Sequence, residues 1–348
     1  VKEFYRTWIV RMKKVTAKEI AQVAQVSTAT VSRIMSGHGG HRFSTVKKVE
    51  NAARELGIKL NLFCPGTDCV GIITHAAYDF NCTPYSTALL SSALKRLAIN
   101  GFTAEIIPVI PSRLSFSYVV RLVNEHRLRG LILLEYADMH HLSLELQSLS
   151  IPVVCVGNME EQDARHAVYC KNDRSGELAA AGFDREAVRH VNAGIITLKN
   201  PDACHLLRIN SFTRHWEAKG RRKVTWVHKL DPQNIDGGLA IIDELCAMPL
   251  SMRPTAIFIT HSMPVRSILQ AARQHLRIPG DISVISIEDD AELIDYYDKI
   301  GIVRQPTREL GDAGAKLLIE LISDSGAGHN VILNCELAGQ CFNPKGQP

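Results

Sequence analysis

Residues 26–33, VSTATVSR, place small hydroxyl side chains and one arginine on a short segment that carries no catalytic-looking group. Serine and threonine hydroxyls can hydrogen-bond phosphate oxygens or base edges, and a guanidinium can pair with guanine through two hydrogen bonds. Side chains as short as that of Ala29 would let a helix approach such groups closely. The segment therefore indicates recognition of a polar, anionic surface rather than catalysis.

Helix-capping signals around this segment predict three short helices. Thr16 and Glu19 have the spacing of a capping box. Ser27 is the next N-cap, and Ser44 is expected to cap a third helix that Gly57 ends. Two helices joined by a tight turn and covered by a third form a helix-turn-helix unit, whose second helix enters the major groove of DNA.

Hydrophobic spacing predicts which side of the second helix faces outward. Val31 and Ile34 are three positions apart and are expected to point into the core. Thr28, Ala29, Ser32 and Arg33 are then left to point outward, in agreement with their chemistry.

Charge is distributed unevenly along the chain. Residues 1–60 hold 12 Lys and Arg against 4 Asp and Glu, whereas the remainder holds 28 against 32. A basic module joined to a mildly acidic body indicates a head that binds a polyanion. A solvated basic surface would give the same count.

The run VTAKEIAQVAQVSTATVSRIMSGHGGHRFSTVKKVENAARELGIKLN, residues 15–61, resembles the DNA-binding head of the LacI/GalR family of bacterial transcription regulators. The recognition-helix pattern of that family, V-S-x-x-T-V-S-R, is complete in residues 26–33. The resemblance implies that Thr28 and Ala29 carry much of the operator preference, with Arg33 reading bases beside them. The residues expected at the DNA are Thr16, Ser27, Thr28, Ala29, Thr30, Ser32, Arg33 and His41.

The linker after the head departs from the family. Only nine positions separate Asn61 from Val70, fewer than the family usually has, and the Pro-Gly pair in NLFCPGTDC would break a helix. We therefore expect the linker, residues 62–68, to lack a clear hinge helix and its minor-groove wedge. A substitute wedge at Leu62 and Phe63 stays open.

In the rest of the chain, short apolar runs alternate with stretches of helical spacing. The runs that predict buried parallel strands are CVGIIT, AEIIPVI, GLILLE, PVVCVG, AGIITL, KVTWVH, TAIFIT and SVISI. The expected fold is an all-α helix-turn-helix head followed by a two-lobed α/β domain with two parallel sheets, which is similar to the periplasmic-binding-protein-like domain of the family.

The predicted domain bounds follow from these elements. The head covers residues 12–61, and the effector-binding and dimerisation domain covers 69–341. The first lobe takes about 69–160 and 305–326, and the second about 167–300 and 330–341.

Residues just after strands are the candidates for a ligand site, since α/β sheets bind ligands at the carboxyl ends of their strands. A sugar site needs carboxylate, amide or arginine groups that pair hydroxyls, against a flat apolar wall. By family position the resemblance implies effector contacts from Arg208, His261 and Glu288. The loop after the first strand adds Asp79, Asn81 and Tyr85.

Ordinary structural roles remain open for the three residues assigned by family position. Arg208 could form a surface ion pair, Glu288 could pair with a neighbouring Lys or Arg, and His261 could be a plain loop residue. The A-N-D motif of the family reads Thr260-His261-Ser262 here. The identity of the ligand therefore does not carry over from the family.

The cysteine count and the apolar runs indicate the cell compartment and whether a metal site is present. The nine cysteines are odd in number, several lie in apolar runs, and none has a nearby metal-ligand pattern. No apolar run is long enough to span a membrane, and the N-terminal residues lack the features of a signal peptide. We expect a bacterial cytoplasmic, nucleoid-associated protein with reduced thiols, no metal and no cofactor.

The leading functional hypothesis is a homodimeric transcription regulator, usually a repressor in this family. The dimer would bind a pseudo-palindromic operator under the control of a small molecule such as a sugar. One alternative keeps the DNA head but has a degenerate cleft that answers to a protein partner or to no ligand. An enzyme acting on a sugar or nucleotide is opposed by the lack of G-x-S-x-G, P-loop and H-E-x-x-H motifs. A transport solute-binding protein is opposed by the helix-turn-helix.

Overall fold

The structure of the chain is a computed structural model. It describes residues 15–35, 43–57, 68–75, 84–109, 115–134, 145–146, 149, 151–157, 166–186, 190–220, 222–231, 237–287, 299–323 and 329–338. The predicted linker, residues 62–68, lies outside these ranges except for Asp68.

The head consists of helices α1 (Ala17–Ala24), α2 (Thr28–Met35) and α3 (Phe43–Glu55). The capping box of α1 is confirmed, because Thr16 Oγ1 accepts a hydrogen bond from Glu19 N at 3.3 Å and the Glu19 carboxylate accepts one from Thr16 N at 2.7 Å. Ser44 lies inside α3, so its predicted capping role is wrong. Gly57, with φ +78°, follows the end of α3.

A small apolar core holds the three helices of the head together. Side chains from all of them lie in one buried cluster, to which α2 contributes Val31 and Ile34, as predicted. The N-cap of α2 is also confirmed, since Ser27 Oγ accepts a hydrogen bond from Thr30 N at 3.0 Å. The helix-turn-helix unit is therefore a packed module within the described residues.

The first sheet is entirely parallel. Its strands are β1 (Cys69–His75), β2 (Thr103–Val109), β3 (Leu131–Leu134), β4 (Val153–Val156), β5 (Ala167–Cys170) and β11 (Val331–Leu333). They lie in the order β11-β5-β4-β3-β1-β2. Helices α4 (Pro84–Ile99), α5 (Phe116–Glu125) and α10 (Thr307–Ser323) accompany this sheet.

The second sheet has one antiparallel edge. Its strands are β6 (Asn192–Leu198), β7 (Lys223–Leu230), β8 (Ala256–Ile259), β9 (Ser283–Ile287), β10 (Gly301–Arg304) and β12 (Glu336–Ala338). The order is β12-β10-β9-β8-β6-β7, and β12 runs antiparallel to β10. Its helices are α6 (Asn172–Phe183), α7 (Ala203–Glu217), α8 (Gly238–Ala247) and α9 (Val265–Ala272). All eight apolar runs correspond to strands, which confirms the predicted fold class.

The described chain crosses between the two sheets at three places. It passes from β5 to α6, which packs against β9, β10 and β12. It returns from β10 to α10, which packs against β3, β4 and β5, and it crosses again from β11 to β12. We call these three connections the crossover segments.

The sheet pairing differs from the predicted lobe bounds at two strands. Those bounds placed residues 167–170 and 331–333 in the second lobe, whereas β5 and β11 pair with each other in the first sheet. An apolar run reveals that a strand is buried but not which sheet it joins, so these bounds were misplaced.

Candidate nucleic-acid interface and effector site

The outer face of α2 carries the side chains that were predicted to contact DNA. Thr28, Ala29, Ser32 and Arg33 are exposed, while the opposite face of the helix is buried in the head core. A short helix that shows small and hydroxyl side chains from a rigid core fits the geometry of major-groove reading.

Three of the predicted DNA contacts also have structural roles in the head. Thr16 and Ser27 cap helices, and Thr30 Oγ1 lies 2.7 Å from Ser27 Oγ. Arg33 Nε donates to the carbonyl oxygen of Ala29 at 3.3 Å, which ties the arginine side chain back to its own helix. His41 lies outside the described residues.

A second group of polar side chains gathers where strands of both sheets end. We call it the Arg208 cluster, and it comprises Asn172, Asp202, His205, Arg208 and His261. Asn172 follows β5 of the first sheet, Asp202 follows β6, and His261 follows β8. The cluster thus combines carboxyl ends of strands from both sheets, which is the location where α/β folds bind ligands.

Arg208 is completely buried on α7. Its Nε donates to Asn172 Oδ1 at 2.9 Å and its Nη1 donates to the carbonyl oxygen of Thr260 at 2.9 Å. Leu206 is 45% exposed on the other side of the helix. The surface ion-pair interpretation of Arg208 is therefore wrong, because α7 turns its arginine inward and a leucine outward.

Close packing of α6 against α7 brings Asn172 to the guanidinium. Gly176 on α6 makes this approach possible, since a Cβ there would overlap the carbonyl oxygen of Arg208. Burying a guanidinium is costly unless its donors are satisfied, and the amide and carbonyl oxygens meet part of that need.

His261 is only 5% exposed, and among the described residues neither ring nitrogen has a hydrogen-bond partner. Burial lowers the pKa of His261 to about 4, and the charges of His205 and Arg208 act in the same direction. The ring packs edge-to-face against His205, with the centroids 5.7 Å apart. A neutral imidazole with an unused donor and an unused acceptor is suited to hydrogen-bond a polar ligand.

Asp202 joins the start of α7 to the cluster. Its Oδ1 accepts the His205 backbone N–H at 2.8 Å and lies 2.6 Å from His205 Nδ1. Burial alone would raise the pKa of Asp202, but hydrogen bonding and charge from His205, together with the charge of Arg208, lower it. The carboxylate stays ionised and fixes the His205 ring beside His261.

The structure brings two of the six predicted effector residues together. Arg208 and His261 lie in one cluster, linked through the Thr260 backbone. Tyr85 is buried within the large apolar core on α4. The remaining candidates, Asp79, Asn81 and Glu288, lie outside the described residues.

Sequence reasoning missed Asn172, Asp202 and His205. Asp202 carries a local signal, since an aspartate at the start of a helical stretch is a typical N-cap. Asn172 carries no such signal, because its role depends on the tertiary contact with Arg208.

Two family models match the chain. Residues 16–61 match the bacterial regulatory proteins of the lacI family, and residues 177–338 match a periplasmic binding protein-like domain. The chain belongs to the LacI family of bacterial regulatory proteins. LacI-family proteins are transcription regulators, and this chain is a DNA-binding regulator of that family.

Similar proteins extend over most of its length. The HTH-type transcriptional repressor PurR of Aliivibrio fischeri (strain MJ11) is 24% identical, covering 89% of this chain and 92% of the relative. The HTH-type transcriptional regulator MalR of Clostridium butyricum is 25% identical, covering 94% and 99%. The lac repressor dimer bound to operator and the anti-inducer ONPF has a similar fold, with a TM-score of 0.63, 18% identity and coverage of 94% and 98%.

Among the described residues, no group of three or more His, Cys, Asp or Glu side chains could hold a metal ion. Within the same part of the chain, no helix has the length and apolar character needed to cross a membrane.

Proposed function

We propose that this LacI-family chain acts in the bacterial cytoplasm as a homodimeric repressor of a metabolic operon, released or engaged by a small polar metabolite. The observation that carries the DNA-binding half is the exposed face of α2 over the packed head core. The observation that carries the effector half is the Arg208 cluster, built from both sheets.

At the operator, Thr28 and Ala29 select bases and Arg33 reads a base beside them. The helix caps Thr16 and Ser27, with Thr30, Ser32 and His41, hold the backbone phosphates. Two heads of a dimer then read the halves of a pseudo-palindrome. Release of counterions from the phosphates makes the affinity fall steeply with salt.

The effector belongs at the Arg208 cluster. Its Arg208 and His261 side chains supply a cation and a neutral imidazole, and we expect Asp79, Asn81 and Glu288 to complete the contacts, whereas the burial of Tyr85 in the apolar core removes it from the set. Hydroxyl-rich metabolites such as sugars suit these groups. The relative bound to ONPF and a neighbouring structure of the regulator CelR in complex with cellobiose support this class of ligand. We propose no catalytic role, since the sequence shows no nucleophile motif.

Selection of genomic fragments with the purified chain, followed by fluorescence anisotropy over a salt series, tests the DNA-binding half. Arg33→Ala should weaken the selected site about 10- to 100-fold and relax specificity at one base. Arg54→Ala, which removes an exposed charge from the end of α3, is the matched control and should leave base preference unchanged. Base reading by Arg33 would be contradicted if Arg33→Ala and Arg54→Ala lost equal affinity, and lost it equally on selected and on random DNA.

A calorimetric screen of sugars and nucleobases tests the effector half. A ligand at the cluster is supported if the wild-type chain gives a heat of binding that Arg208→Lys does not. Arg208→Lys must still bind the operator in this test. If no metabolite binds and a partner protein instead changes operator affinity, the alternative with a degenerate cleft is correct.

A further inference from the structure

Two buried cysteines lie at crossover segments. Cys170 ends β5, just before the chain crosses to α6, and Cys335 lies in the connection between β11 and β12. They are 3% and 8% exposed, and both thiols are reduced. Cys170 pairs with Leu333 in the parallel ladder, so Cys335 lies two positions beyond the partner of Cys170.

The two thiols are hydrogen-bonded to each other. Ser175, in the first turn of α6, donates its hydroxyl to Cys335 Sγ at 3.3 Å. The sulfur of Cys335 thus receives hydrogen bonds from two sides, inside the apolar core that both sheets share.

These contacts give the two sulfurs different roles. The hydrogen bond from Cys170 lowers the pKa of Cys335 to about 7, against the effect of burial, with support from Ser175 and the charge of Arg208. The same hydrogen bond and burial raise the pKa of Cys170. Cys335 is therefore the more acidic of the two thiols and Cys170 the one that holds its proton more tightly, which is the arrangement of an attacking and a resolving thiol.

We propose that Cys335 and Cys170 form a peroxide-oxidised, reversible disulfide that ties two of the three crossover segments together. The Cys335 thiolate attacks one oxygen of hydrogen peroxide, and the O–O bond breaks to leave Cys335 sulfenic acid and hydroxide. Cys170 sulfur then attacks the sulfenic sulfur, and the expelled hydroxyl group leaves as water by taking up the Cys170 proton. The proton that Cys335 released on ionising neutralises the hydroxide of the first step. Overall, two thiols and one peroxide give one disulfide and two waters, and the sulfurs lose two electrons.

The disulfide would restrict movement between the two sheets. The connection at Cys335 would be bonded to the end of β5, so rotation of one sheet against the other would have to move both segments together. Formation of the disulfide does not depend on the proposed function. The effect of the disulfide on operator binding does rest on the proposed function.

Titration of the full-length chain with hydrogen peroxide, followed by peptide mass mapping, tests the disulfide. We expect a peptide pair joining Cys170 to Cys335, with a mass lower by two hydrogens, that dithiothreitol reverses. In Cys170→Ser, Cys335 should stop at a sulfenic acid that dimedone traps. Cys246→Ser removes a more exposed cysteine and should leave the cross-link intact.

Persistence of both thiols in the wild-type chain, at peroxide levels that oxidise Cys246, would overturn the proposal. Separate oxidation of Cys170 and Cys335 without a cross-link would overturn it equally. Operator anisotropy of the reduced and oxidised chains then measures the effect on DNA binding. If the cross-link forms but the chain selects no operator, the proposed function fails and the disulfide stands.

Discussion

Burial of the neutral His261 imidazole should make the second lobe sensitive to mild acid. The pKa of His261 is about 4 in the folded protein, against an ordinary value of 6.5. Between these values the unfolded chain binds a proton that the folded chain does not, so unfolding becomes easier as the pH falls. The contribution of neutral His261 to the free energy of unfolding is fully present above pH 6.5. It decreases as the pH falls from 6.5 towards 4.

The size of the effect follows from this difference in pKa. Each pKa unit corresponds to about 1.4 kcal/mol, so lowering the pH from 7 to 5 should cost the wild-type chain about 2 kcal/mol through His261 alone. This window stops above the range in which most carboxylates titrate. The loss attributable to His261 can therefore be separated from general acid denaturation.

Urea unfolding followed by tryptophan fluorescence measures this loss. Trp216 and Trp226 are buried in the second lobe and report on it directly. His261→Asn should lose about 2 kcal/mol less than the wild type between pH 7 and pH 5. His275→Asn, which removes an exposed imidazole of the same lobe, should keep the wild-type pH dependence. Parallel pH profiles for wild type and His261→Asn would refute the reasoning.

Substitutions at three further positions test the packing and the helix caps. Thr16→Ala should cost about 1 kcal/mol by removing the cap of α1, seen as faster hydrogen exchange of the α1 amides; unchanged exchange would contradict the capping role. Gly176→Ala should cost at least about 1–3 kcal/mol in urea unfolding, because its Cβ would push α6 away from the Arg208 carbonyl; a neutral result would mean that the helices separate freely. Asp202→Ala should cost about 1 kcal/mol by removing the α7 cap on the His205 N–H, whereas Asp202→Asn should retain most of it; equal losses would show that the lost charge decides.

Local features of the chain were predictable because their causes are local. The capping box at Thr16, the N-cap at Ser27 and the inward spacing of Val31 and Ile34 each depend on residues within one helical turn. The α/β body was predictable for a similar reason, since fully buried parallel strands form continuous apolar runs.

The Arg208 cluster could not be predicted in the same way. The partners of Arg208 lie 36 and 52 positions away in the chain, and local sequence does not show that α7 buries its arginine rather than Leu206. The resemblance to the family identified Arg208 and His261, but not the Asn172 amide that orients the guanidinium. Likewise, the sheet to which β5 and β11 belong is decided by their mutual pairing.

The late position of β11 and β12 in the chain has a consequence for synthesis. Residues 331–338 supply one edge strand to each sheet, β11 beside β5 and β12 beside β10. A nascent chain that lacks them leaves β5 and β10 with unpaired backbone groups, which can pair with other chains. Neither lobe can therefore complete its sheet as an early folding unit on the ribosome, and a break just before these eight residues would expose an aggregation-prone edge on both lobes at once.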